Sequence, residues 1–136
     1  MLYTVADNPF AAGFIDGAGQ TLISHATTPL VHHALSLAGV VVSEPILRIA
    51  TLWGIMTDVV LWASGMHSRA FGYGSHSILN TASVRWLISI SAAVLTYHWQ
   101  AGFSSATILA CAVSFIAARV AFMVLRRLIG MPHITY

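Results

Sequence analysis

The sequence predicts an all-α helical bundle integral to a membrane, and three observations predict it. Hydrophobic residues make up 57% of the chain and charged ones 7%, with a mean hydropathy of +0.80, far from the roughly 25% charged residues of a soluble domain. Apolar runs near the roughly 20 residues that cross a bilayer recur along the chain. Between them stand short polar stretches that carry prolines, glycines and helix-capping residues. A chain of 136 residues holds one polytopic domain with three spans and a further helix near the N-terminus that is either kinked or re-entrant.

The same composition excludes other classes. A formal charge of +2 rests on six arginines and no lysine, dispersed instead of gathered on one face, so nucleic acid is not an expected partner. Cys111 is the single cysteine; it allows neither an intrachain disulfide nor a cysteine metal cluster and reads as a packing residue.

Residues 1–20 carry Asp7 and Asp16 where a secretory signal would carry positive charge, so the segment is expected to stay on the mature chain. Asn8-Pro9 together with Gly13, Gly17 and Gly19 argue there for a short interfacial piece, Phe10, Phe14 and Ile15 resting at the membrane surface. The first candidate helix is 21–42. Counted from the Thr28-Pro29 cap it is about 14 residues and about 21 Å long, short of the roughly 30 Å hydrocarbon core. Started at Thr21 it is long enough, at the cost of a kink at Pro29 and a buried His25.

Ser43-Glu44-Pro45 supplies a cap, an acid for the positive helix start and a first-turn proline, and predicts a span over 44–65. A polar linker follows at 66–80. The next helix occupies 81–99, with Trp86, Tyr97 and Trp99 near its ends as interfacial aromatics. Gln100-Ala101-Gly102 turns the chain, and the last helix runs over 104–128, before Gly130 and Pro132. Arg69 and Arg85 around the linker and Arg126 and Arg127 at the end of the last helix place the 66–80 loop and the C-terminus in the cytoplasm, at the cell inner membrane. The N-terminus is then inside if the first helix spans and outside if it only dips in.

Two charges fall inside apolar runs, where insertion costs at least about 2.5–3.5 kcal/mol. Asp58 lies seven residues before Gly65, and Arg119 seven before Arg126. Both helices run toward the same side, so the two side chains share a depth and are expected to pair. The pair serves either as a packing clamp or as a proton or substrate relay. Arg48 has Glu44 one turn away and reads as a local ion pair. The last helix carries Ala106, Ala110, Ser114 and Ala118 at four-residue spacing, a seam that admits another helix closely, from within the chain or from a partner subunit.

The seven histidines raise haem and metal readings. His32 and His33 point about 100° apart on a helix and do not grip one ion together. His32 or His33 with His98 is the one feasible haem pair. Asp58 followed by "FGYGSHSIL" resembles the Asp and "HRGxTHS" pattern of small membrane-bound metal-dependent hydrolases over about a fifth of the chain, which implies Asp58, His67 and His76 as metal ligands. Tyr73 or Gly74 stands where that pattern has a histidine, and Asp58 lies about 10 Å into its helix by the helix rise. The stretch is therefore read as a linker, with no metal and no cofactor expected. "LRIATLWGIMTDVVLW" and "VRWLISISAAVL" are similar to helices of four-helix proteins that move lipid-linked sugars. That family's second helix would fall on 66–83, which are polar here, and no family is assigned.

The expected function is that of a noncatalytic small subunit or accessory component of a larger membrane complex, docking through the small-residue seam to other subunits or to itself. The alternative is a small transporter or flippase for lipid-linked substrates, working through Asp58 and Arg119. A b-haem redox anchor and a metal-dependent hydrolase stand behind these two.

Overall fold

A computed structural model describes residues 9–70 and 82–129, which form four helices: α1 Pro9–Leu37, α2 Glu44–Ala70, α3 Ala82–Ala101 and α4 Ser105–Leu128. No strand occurs among the described residues. Two of the helices, α2 over Glu44–Ser64 and α4 over Ser105–Leu128, are long and apolar enough to cross a membrane.

The N-terminal region departs most from expectation. Instead of an interfacial piece followed by a helix at 21–42, one helix of 29 residues runs from Pro9 to Leu37. The glycines that argued against it are contact points. Gly13 and Gly17 lie against Val59 of α2, and a Cβ at Gly19 would run into the Phe122 ring of α4. Where helices approach this closely, glycine is a packing residue and not a breaker, because the neighbouring helix supplies the contacts that its missing side chain does not. Pro29 sits inside α1; lacking an N–H, it leaves the carbonyl of His25 without its usual helical donor, and the helix continues through it.

Each short connection is closed by a glycine in the left-handed region. Gly39 (φ 83°) ends α1, with Val40 N–H donating to the Leu35 carbonyl and Gly39 N–H to that of Ser36, the two bonds of a Schellman cap. Gly102 (φ 86°) ends α3, its N–H donating to the His98 carbonyl. Ser104 then caps α4, its side chain accepting from Thr107 N–H. The α1–α2 turn is tied to α3 by Ser43 N–H, which donates to the Tyr97 hydroxyl at 2.9 Å. The linker expected at 66–80 starts later, since α2 continues to Ala70; residues 71–81, with Tyr73 and His76, lie outside the described residues.

Successive helices are antiparallel. Gly13 beside Ala63, Gly54 beside Ser89 and Ala93, and Thr28 beside Ser114 fix α1 against α2, α2 against α3, and α1 against α4. A Cβ at Gly54 would stand 3.1 Å from the Ser89 carbonyl oxygen, closer than an ordinary contact, so glycine favours the approach of α3 there. α2 and α4 run parallel and touch across one diagonal of the bundle, while α1 and α3 occupy the other diagonal without contact among the described residues.

The bundle is polar inside and apolar outside. The inward stripe of α1 reads Asp16, Gln20, Ser24 and Thr28, all buried, and Thr51, Asp58, Arg85, Ser89, Ser114 and Arg119 are buried opposite them. Phe14 (78% exposed), Leu22 (73%), Leu30 (70%) and Leu128 (77%) face outward. Apolar packing fills the gaps: Val31, Leu35, Leu47, Ala93 and Ala110 toward one end, Ile55, Phe115 and Ala118 toward the other.

Candidate functional site

Four-residue spacing on α1 puts Asp16, Gln20, Ser24 and Thr28 on one stripe, and the glycines beside Val59 and Phe122 let that stripe approach both α2 and α4. Two polar levels result.

The upper level is neutral. Thr28 of α1, Thr51 of α2 and Ser114 of α4 form a hydroxyl chain, Thr28 Oγ1 to Ser114 Oγ at 3.3 Å and Ser114 Oγ to Thr51 Oγ1 at 2.7 Å. A hydroxyl has one proton to donate. Thr51 directs its own to the Leu47 carbonyl at 2.8 Å, so Ser114 donates to Thr51 and Thr28 to Ser114. The chain ends on a backbone carbonyl and ties three helices together.

The lower level is ionic. Arg119 of α4 places Nη1 3.5 Å from Asp58 Oδ2 and 3.7 Å from Asp16 Oδ2, so one guanidinium stands between two carboxylates from two other helices. Arg126 Nη1 is 3.6 Å from Asp16 Oδ1, and Gln20 Nε2 donates to Asp16 Oδ2 at 2.9 Å. Asp16, Asp58, Gln20 and Arg119 are all at most 2% exposed. Trp86 of α3 offers its ring to Arg119, 5.7 Å from Cζ to the centroid, and is held edge-on to Phe115 at 5.9 Å. Phe122 does the same for Arg126 at 5.6 Å. Arg85 of α3, fully buried, acts electrostatically on Asp58. Each of the four helices thus contributes a charge to one level.

The ion pairs are long. Charge-assisted hydrogen bonds of this type measure about 2.7–2.9 Å, and neither Asp58 oxygen has a hydrogen-bond donor among the described residues. Asp16, by contrast, is held by Gln20 as well as by two arginines.

The residues singled out in the sequence are distributed as follows. Asp58 and Arg119 are brought together. Glu44 and Arg48 form their i, i+4 pair at the opposite end, where Arg48 Nη1 also reaches His25 Nδ1 at 3.3 Å. Ala110, Ser114 and Ala118 are fully buried by the chain's own helices. Ala106, the fourth member of the seam, is half-buried against the same core, so the seam faces the chain's other helices. His32 is engaged with the Val42 carbonyl at 3.0 Å, His33 is exposed, and His98 is exposed and packs edge-on to Phe103 at 6.0 Å. His32 and His33 do share an end of the bundle with His98, but α1 and α3 do not touch. His67 is on the last turns of α2, its side chain outside the described residues as is His76. Among the described residues no group of three or more His, Cys, Asp or Glu is placed to hold a metal ion.

Two of the four arginines that set the orientation, Arg85 and Arg126, are packed inside the bundle and so carry no weight as interfacial charges. Sequence reasoning also missed Asp16 and Gln20 as site residues. The signal was present, since Asp16, Gln20, Ser24 and Thr28 repeat at the same spacing as the alanine seam of α4.

The chain matches no known family model, no curated protein and no solved structure.

Proposed function

We propose that this protein is a small membrane transporter in which all four helices span the bilayer and the Asp16–Arg119–Asp58 centre lies on the path of the transported solute. The observation that carries the proposal is the buried ionic level to which every helix contributes, inside a bundle whose outer surface is apolar. Ionised groups within a bilayer are costly, and where they occur they face a bundle interior and mark solute or proton pathways. A clamp for packing alone would be served by the neutral hydroxyl level, with no charge to desolvate.

The length of α1, about 43 Å at 1.5 Å per residue, is ample for a tilted span, and α3, about 30 Å, just suffices. Arg127 at the end of α4 is exposed, and with Arg69 in the sequence it supports a cytoplasmic side at that end of the bundle, at an inner membrane.

Solid-supported-membrane electrometry of the reconstituted chain tests the reading. Concentration jumps of inorganic phosphate, small carboxylates, amino acids and a water-soluble lipid-linked sugar analogue should give a transient current for one class, lost in Asp58→Asn. Silence across the panel, or an unaltered current in the variant, removes the proposal.

A second reading, an accessory subunit of a larger complex, draws support from the outer surface. A groove of about 270 Å³ between α1 and α2 is floored by Gly13, Gly17 and Thr21 and walled by Met56, Val59 and Val60, and glycine lets a partner helix come close in lipid. Gly17→Leu would then shift the protein from a complex to a monomer in mild detergent, and a monomeric wild type removes this reading.

A further inference from the structure

The two carboxylates of the ionic centre are not equivalent. Asp16 accepts a hydrogen bond from Gln20 Nε2 and stands beside both Arg119 and Arg126. Asp58 has the 3.5 Å approach of Arg119 and, among the described residues, no hydrogen-bond donor on either oxygen, although it is fully buried. A carboxylate has about four lone-pair sites and no donor of its own, and such a group inside a protein leaves its desolvation cost largely uncompensated unless donors reach it. A proton supplies what is missing: it neutralises the group and turns one oxygen into a donor.

We propose that Asp58 is the proton-binding site of this protein, with Asp16 as the second carboxylate that retains Arg119 when the proton arrives. The inference rests on the transporter reading for its purpose and on geometry for its chemistry. In the step, a hydronium ion gives one proton to Asp58 Oδ2, its own O–H bond breaking to leave water as the carboxyl O–H bond forms. No electrons are transferred, Arg119 keeps all its protons, and its Nη1, already shared, turns to Asp16 Oδ2. Departure of the proton reverses the movement. Asp58 faces Asp16 from α1, Arg119 from α4 and, through its field, Arg85 from α3; Arg126 stands beyond, 3.6 Å from Asp16 Oδ1. A guanidinium held between two carboxylates is a two-position element of the kind that couples protonation to a change in packing. A metal cation is a poorer candidate, since among the described residues no third ligand joins the two carboxylates.

Infrared difference spectroscopy of the full chain in lipid, titrated in water and in deuterium oxide, tests the assignment. The expected result is a carbonyl stretch of a protonated carboxylic acid that grows as pH falls, shifts in deuterium oxide, is absent from Asp58→Asn, is displaced in Asp58→Glu and persists in Asp16→Asn. Absence of such a band in the wild type overturns the proposal, as does its survival in Asp58→Asn or its loss in Asp16→Asn alone. Circular dichroism and detergent gel filtration establish that each variant is folded, and Asp58→Glu keeps the test decisive if Asp58→Asn is not. The two proposals fail separately. A titrating band with unaltered flux in Asp58→Asn removes the transporter and leaves the proton site, whereas flux lost in Asp58→Asn without any titrating band does the reverse.

Discussion

The two polar levels of the bundle share α1, α2 and α4 and lie about one and a half to three turns apart along them, yet they are satisfied by opposite means. At the hydroxyl level of Thr28, Ser114 and Thr51 every proton has an acceptor, and the chain ends on a carbonyl. At the ionic level charge meets charge: Arg119 lies 3.5 Å and 3.7 Å from two carboxylates, and neither oxygen of Asp58 has a hydrogen-bond donor among the described residues. A matched neutral network has one arrangement and serves assembly. A guanidinium shared between two carboxylates is the element on which the proposed proton step rests.

The largest test of that contrast is to remove the shared cation. Arg119→Gln leaves two buried carboxylates facing one another and should cost about 3–5 kcal/mol of stability, read as a loss of folded protein in reversible detergent unfolding. If the loss is no greater than that from a hydroxyl change, the ionic level is not the more costly of the two to disrupt. Next in size is the approach of α1 to α4. Gly19→Val drives a branched side chain into the Phe122 ring and should cost about 1–3 kcal/mol, with Gly19→Ala intermediate in the same assay.

Smaller effects sharpen the neutral side. Ser114→Ala breaks the chain in its middle, but Thr51 keeps the Leu47 carbonyl, so the expected loss is about 0.6 kcal/mol and not above about 1.7. Smallest is Arg48→Gln at the far end. The Glu44 pair it breaks is about one-third exposed, and its contribution of about 0.3–0.5 kcal/mol should fade further as salt is raised.

Particular residues show what was legible beforehand. The lengths and stops of α2, α3 and α4 were readable within a few residues, because proline, glycine and Ser-Glu caps act locally. The Asp58–Arg119 pairing followed from counting residues to two helix ends. Asp16 was not found, since Pro9 and three glycines suggested a break in the helix, and the contacts with Val59 and Phe122 that make those glycines useful involve residues more than forty positions away. The alanine seam was seen but its occupant was not, because small residues at four-residue spacing specify close approach and say nothing of which helix approaches.

By itself the sequence determined the helical class, the apolar runs of α2 and α4 and the places where the chain turns, all of them set by local composition, caps and hydropathy. Only the tertiary structure decided that α1 begins at Pro9, that Asp16 joins Asp58 around Arg119, and that the seam of α4 faces inward. Those outcomes depend on the order of helices around the bundle and on their rotation about their own axes. Both are fixed by contacts summed over four helices at once, a quantity that no single segment carries.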